Sequence, residues 1–174
     1  MSAPGVLFRE EQTFSRMFLG VVAAALGAPT GVLALAAVQQ VLLGRPWGQH
    51  PMSDRALVAA TALALAFDAA IALLYLFSRL ITEVRPDGCY VRFVPFHFRF
   101  RRIPLEQVRR YRAQTYRPIA EYGGWGIRWV PGGKAYNPRG NRGVRFDFTS
   151  GQHLLIGSER PEELAGAIAE VMGR

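Results

Sequence analysis

Three groups of residues in this chain have types and spacings that could do chemistry. The stretch EYGGWGIRW at residues 121–129 and its continuation VPGGKAYNPRGNRG to residue 143 interleave glycines with aromatics and cations. Glycine-rich loops beside cations can cradle an anion through backbone N–H groups. A second group is the arginine series Arg99, Arg101, Arg102, Arg109, Arg110, Arg112 and Arg117. The third is Asp68, a lone acid in an apolar run.

Neither phosphate-loop template fits the glycine stretch. Gly124-Trp125-Gly126 lacks the third glycine of a dinucleotide fingerprint, because position 129 is Trp, and no strand-then-helix context surrounds it. Gly133-Lys134 is followed by Ala135, and Arg128 stands where a P-loop needs its first glycine. His50, His97 and His153 are too scattered to announce a metal site, and His97 and His153 read as ordinary strand residues. No Gly-x-Ser-x-Gly elbow or Ser/His/Asp or Cys/His grouping occurs. These residues predict no enzyme, no cofactor and no metal. A single cysteine, Cys89, excludes a disulfide framework and reads as a buried, inert thiol. Glycines at positive φ in tight turns explain residues 121–143 as well as a binding loop does. Tyr122, Trp125, Trp129 and Tyr136, with Lys134, Arg139, Arg142 and Arg145, are its candidate contact residues.

The elements that must position these groups fall into two parts. Residues 17–43 carry no charge and residues 56–77 carry only Asp68. At 1.5 Å per residue the first run reaches roughly 40 Å, beyond the roughly 30 Å of a hydrocarbon core. The pattern predicts a transmembrane hairpin within residues 16–80, with spans at about 17–43 and 56–79 and a short loop at 44–55. A cleaved signal peptide is the rival reading of the first run, but its apolar core is too long and a second run follows. Pro29 predicts a kink or a local break in the first helix.

Asp68 and Thr30 both lie near the centres of their runs, which makes the Thr30 hydroxyl a candidate partner for the Asp68 carboxylate. A mid-span carboxylate costs on the order of 2.5–3.5 kcal/mol on insertion scales. Three readings of it stand: proton or cation handling, docking onto a partner's polar residue, or a protonated acid hydrogen-bonded within the hairpin.

Charge divides the chain. Residues 1–82 hold five arginines and four acids, whereas residues 83–174 hold sixteen cations and nine acids, a net of +7. Arg79, Arg85, Arg92, Arg99, Arg101 and Arg102 follow the second run, against Arg45 and Arg55 in the loop and Arg9 and Arg16 before the first. The positive-inside rule places both termini in the cytoplasm and loop 44–55 on the opposite side. The basic part suits an anionic surface, such as lipid headgroups. Equally, it suits a solvated cytoplasmic face. Nucleic acid is not indicated, since no helix-turn-helix or RNP-like motif occurs.

From residue 80 the pattern turns to short aromatic and β-branched runs between turn signals. LITEV, Pro86-Asp87-Gly88 and CYVRFV predict a hairpin. HFRFRRI alternates, with Phe96, Phe98 and Phe100 on one face and His97, Arg99 and Arg101 on the other. VRRYRAQTY, GWGIRW, KAY, GVRFDF and HLLIG follow as further strands. A closing helix has Ser158 or Arg160 at its N-cap, Pro161, Glu162 and Glu163 in its first turn, and an apolar stripe of Leu164, Ile168 and Val171. The expected organisation is a tail at 1–15, the hairpin at 16–80, and a domain of about seven antiparallel strands with a C-terminal helix at 81–174.

This order of elements resembles the pleckstrin-homology (PH) fold. More narrowly, TEVRPDGCYVRF, IPLEQV at residues 103–108, GVRFDFTSGQHLLIGSERPEELAGAI and the blocks EYGGWGIR and AYNPRGNRG resemble small, largely uncharacterised bacterial membrane proteins. These join a two-helix hairpin to a bacterial PH-like domain. The resemblance implies an α+β membrane protein of the bacterial cytoplasmic membrane, with the β domain forming an antiparallel sandwich or barrel. It brings no catalytic residue with it, because the PH fold serves lipid, peptide and protein binding alike. The expected function is a membrane-anchored adaptor or accessory subunit contacting other integral membrane proteins. Anionic-lipid or ligand sensing by the arginine face, or a proton-linked role of Asp68, are the alternatives.

Overall fold

A computed structural model describes residues 5–173; residues 1–4 of the expected tail and residue 174 of the expected β domain lie outside them. The chain forms an α+β protein of two compact units, Arg16–Leu76 and, joined across it, Met1–Ser15 with Phe77–Arg174.

The helical unit contains α1 (Arg16–Ala37) and α2 (Asp54–Phe77), with a π-helical turn at Val38–Leu42 extending α1. Both helices are long and apolar enough to cross a membrane, and only 11% and 6% of their apolar windows are buried within the chain. A core helix of a soluble protein would bury its apolar residues far more completely. α1 runs on through Pro29, whose ring removes one N–H donor and so interrupts the ladder only locally. The wider turn comes nine residues later, at Val38. Gln40 closes the far end of the hairpin, donating through Nε2 to the Met52 carbonyl and to Asp54 Oδ1, each at 2.7 Å.

Among the described residues the second unit is built from nine strands in two open sheets. β1 (Phe8–Thr13), β2 (Arg79–Arg85), β3 (Gly88–Val94) and β4 (Arg101–Ile103) form an antiparallel sheet in that order. β5 (Val108–Thr115), β6 (Gly126–Val130), β7 (Gly133–Asn137), β8 (Arg142–Phe148) and β9 (His153–Gly157) form the other, in the order β5-β8-β9-β7-β6. The strands number nine rather than about seven, β7 and β9 run parallel, and neither sheet closes into a barrel.

The expected tail supplies one of the extra strands. β1 pairs with β2 from Phe8↔Val84 to Thr13↔Arg79, so residues before α1 and after α2 belong to one body. Its sequence FREEQT buries alternate residues, two of which, Glu10 and Gln12, are polar. They are tolerated because buried polar groups that find partners escape most of the desolvation cost. The Glu10 carboxylate accepts from Ser158 Oγ at 2.5 Å and the Glu159 N–H at 2.8 Å, and Gln12 Nε2 donates to the Gly157 carbonyl at 2.9 Å. Glu83 is likewise buried and accepts from Arg9 and Arg85.

The HFRFRRI alternation also fails as a strand. Only Arg101–Ile103 pairs with β3, and residues 95–100 form a turn. Pro95 lacks the N–H that would continue the ladder. The His97 N–H then donates to the Phe93 carbonyl, while His97 Nδ1 accepts from the Phe93 N–H at 3.1 Å. This turns the segment over: His97 is buried and Phe98 is 90% exposed.

The core is carried by Leu80, Phe93, Phe146, Leu155 and Ile156, with Leu164 and Ile168 from the closing helix α3, Leu164 and Ile168 being fully buried. A single helical turn at Pro118–Tyr122 precedes β6, so α3 here denotes Pro161–Met172. It packs on strands of both sheets. Arg160 takes its N-cap position, Pro161, Glu162 and Glu163 fill the first turn, and left-handed Gly173 ends it, as N-terminal acids and a C-terminal glycine favour.

Candidate functional site

The two sheets of the β unit face each other across a cleft of about 400 Å³. From the first sheet it takes Val91 on β3 and Arg101, Arg102 and Ile103 on β4; from the second, Val130, Gly133, Lys134, Tyr136 and His153. Register puts Arg101 opposite Val91 on the cleft face, whereas Arg102 lies opposite Tyr90 on the other face. Lys134 enters from β7, two residues past the Pro131-Gly132 turn, with its ammonium 6.0 Å from the Trp129 ring centroid. Gly132 has φ +74°, as the third position of a type II turn after proline requires. At Gly133 a Cβ would sit 2.5 Å from the His153 carbonyl oxygen and 2.6 Å from its ring, so only glycine lets β9 approach here.

The wall of this cleft contains no acid. Among the described residues Arg101 and Lys134 form no ion pair, whereas Arg102 meets Glu106 at 3.2 Å. Their field reaches the neighbouring His97, whose pKa is held below its ordinary value first by burial and then by Arg101 and Lys134. His97 packs edge-on against Tyr136 at 5.3 Å. Burial, with Arg145 beside it, lowers the pKa of His153 as well. The unpaired positive charge of the cleft belongs to Arg101 and Lys134, because the Arg102 guanidinium also donates to the Asp87 carbonyl.

The remaining expected contact residues divide by what they touch. Arg99 is exposed in the turn before β4, while Arg109 and Arg112 are exposed on β5, an edge strand of the other sheet; the arginine series is thus split between two sheets. Arg112 donates to Gln114 Oε1 at 2.9 Å. In the glycine stretch Arg139 pairs with Glu159 and Arg142 with Glu162, tying the loop to the start of α3. Tyr122 is buried edge-on against Tyr116 at 5.6 Å, Tyr136 is buried on the cleft side, and Trp125 Nε1 donates to the Gly140 carbonyl. Trp129 alone of these aromatics is strongly exposed, at 69%. Tyr122, Trp125, Tyr136, Arg139 and Arg142 thus all have partners within the chain.

A second concavity lies in the helical unit, a groove of about 470 Å³ between α1 and α2. Leu19, Ala23 and Gly27 line one wall, and Leu65, Asp68, Ala72 and Tyr75 the other. Asp68 faces α1 as expected, but among the described residues it has no hydrogen bond or ion pair. The Thr30 hydroxyl is not its partner. Thr61 Oγ1 reaches the Leu33 carbonyl at 3.4 Å and Phe18 meets Tyr75 at 5.3 Å. That register puts Leu26, which also lines the groove, across from Asp68. Thr30 is buried about one turn, or roughly 5.4 Å, further along the helix.

Cys89 is fully buried, and burial pushes its thiol up to about 12, the inert state expected of it. Among the described residues no three His, Cys, Asp or Glu side chains gather as a metal site would need.

The model of one protein family, described as a family of unknown function (DUF6141), matches residues 1–173. No curated protein and no solved structure matches the chain.

Proposed function

The chain belongs to that family of unknown function, and we propose that it is a non-enzymatic accessory subunit anchored in the bacterial cytoplasmic membrane. In this reading α1 and α2 cross the bilayer and dock against another integral membrane protein. The β unit, a PH-like platform, lies in the cytoplasm with both termini and offers its surface to the same assembly. Pairing of β1 with β2 supports the shared side of the termini, and the arginine bias supports the cytoplasm as that side.

One observation carries the proposal: the Asp68 carboxylate lines an apolar groove between the helices without a partner of its own. A carboxyl in hydrocarbon is costly unless paired. Ala23, Gly27 and Ala72 beside it let a third helix approach closely. A neighbouring membrane helix carrying a hydrogen-bond donor would fill the groove and satisfy the acid.

The test is purification from native membranes at native abundance, with mass spectrometry of what co-purifies and cross-links mapped to α1 and α2. A stoichiometric membrane partner, lost in Asp68→Leu and kept in Asp68→Asn, supports the proposal. A lone monomer that binds anionic vesicles would overturn it and favour the alternative, headgroup contact by the β unit. That second reading draws on Phe98 and Trp129, exposed at 90% and 69% close in sequence to Arg99, Arg101 and Lys134. Such basic–aromatic surfaces suit an anionic interface.

A further inference from the structure

The cleft between the sheets holds charge that the fold itself does not explain. Arg101 and Lys134 are brought to one opening from β4 and β7, strands of different sheets. Neither forms an ion pair among the described residues, and the cleft wall supplies no acid. Seven arginines elsewhere in this unit are matched, Arg9 and Arg85 on Glu83, Arg79 on Glu11, Arg139 on Glu159, Arg142 on Glu162, Arg145 on Asp147 and Arg160 on Glu163; the unpaired Arg99, Arg109, Arg110, Arg112 and Arg117 are exposed and none of them lines the cleft. Converging like charges repel, so an opening that gathers them attracts an anion.

The cleft also has a shape that a ligand can use. Its volume of about 400 Å³ lies within the roughly 300–1,000 Å³ typical of small-molecule sites. Val91, Val130 and Phe148 give it an apolar portion, and the side chain missing at Gly133 lets the His153 ring pack against the turn.

We propose that this cleft binds a phosphate-bearing anion, with the phosphate held by Arg101 and Lys134 and the organic portion resting on Val91, Val130 and Phe148. Phosphate is favoured over a carboxylate because two unpaired cations match a dianion. A guanidinium fork also takes two phosphate oxygens at once. The phosphate can come from a soluble phosphomonoester or from a lipid headgroup. The inference concerns the β unit alone and stands apart from the role of Asp68.

The experiment uses the full chain in phosphatidylcholine nanodiscs, titrated with inorganic phosphate and glycerol 3-phosphate, with glycerol as the uncharged control. A parallel set of discs contains phosphatidic acid. Heat of binding and the His97 imidazole resonance are followed together, because an anion beside Arg101 and Lys134 relieves their repulsion of protonated His97 and raises its pKa. Saturable binding is expected, with no response to glycerol. In the double variant Arg101→Gln, Lys134→Gln it weakens by at least about tenfold, whereas Arg109→Gln, an exposed arginine outside the cleft, leaves it unchanged. A response to the soluble probes assigns the site to a small phosphomonoester. A response only in phosphatidic acid discs assigns it to a headgroup. No response to any phosphate, or equal weakening in Arg109→Gln, overturns the proposal.

Discussion

Replacing Glu10 by alanine should detach the first strand while leaving the rest of the β unit folded. Its carboxylate is 7% exposed on the residue scale and accepts two hydrogen bonds, from Ser158 Oγ at 2.5 Å and the Glu159 N–H at 2.8 Å. Hydrogen bonds to a charged group contribute about 1.5–3 kcal/mol each. Glu159 lies at the surface, where water can replace its partner, so the loss sits near the lower end, about 3 kcal/mol for the pair. If the strand opens locally, its amides should exchange about a hundredfold faster. Glu10→Gln keeps one acceptor and should cost about half as much. Glu11→Ala, on the solvent side, removes partly exposed pairs with Arg79 at 2.9 Å and Arg9 at 4.0 Å and should cost about 0.5 kcal/mol or less. Hydrogen exchange read by mass spectrometry on the full chain in detergent resolves peptides of β1 from those of β9. Acceleration confined to β1 in Glu10→Ala is the expected result. Unchanged protection of β1 would refute the view that these buried polar contacts hold the strand.

Further outcomes follow from single geometric facts. Gly143→Ala places a Cβ 2.3 Å from the Ile156 carbonyl oxygen and should destabilise the β8–β9 ladder by more than about 2 kcal/mol. Gly140→Ala, in open space but at φ +71°, should cost about 1 kcal/mol; thermal melts of both variants make the comparison. The Cys89 thiol should resist maleimide at pH 8 in the folded chain and react once denaturant is added, which a mass shift reports. Its pKa is 9.0 unfolded and about 12 folded. Above pH 9 the unfolded chain therefore binds fewer protons, and stability should fall with rising pH by up to about 1.4 kcal/mol per unit until 12. His97 should titrate below its ordinary value by NMR. Removing Arg101 and Lys134 charge together should move it up but not fully back, because burial is the larger cause.

What the sequence made legible follows from how local each signal is. The two apolar runs, the β2–β3 hairpin over Pro86-Asp87-Gly88, the Pro131-Gly132 turn and the capped closing helix depend on neighbours a few residues apart, and all are present. β1 was not legible, because FREEQT reads as a polar tail and its inward Glu10 and Gln12 find partners some 145 or more residues away. The HFRFRRI alternation pointed to a strand, yet Pro95 and the His97–Phe93 hydrogen bonds reversed which residues are buried. The cleft was legible only in pieces. Arg101, Arg102 and Tyr136 stand among the expected contact residues and Lys134 among the loop cations. Joining them requires the pairing of sheets, which no spacing records; the signal available was the chain's one lysine, set directly after a Pro-Gly-Gly turn. Arg139 and Arg142 looked like free cations because their partners, Glu159 and Glu162, lie 20 residues further on.

The central claim is that the hairpin is a docking element completed by another membrane protein at Asp68. Site-specific photo-crosslinking from Ala72, one turn from Asp68 in the groove wall, tests it most directly in intact native membranes. A single crosslinked adduct to an integral membrane protein is expected, absent when Asp68→Leu is combined with the same probe and retained with Asp68→Asn. Crosslinks to lipid alone, the same in wild type and Asp68→Leu, would contradict it.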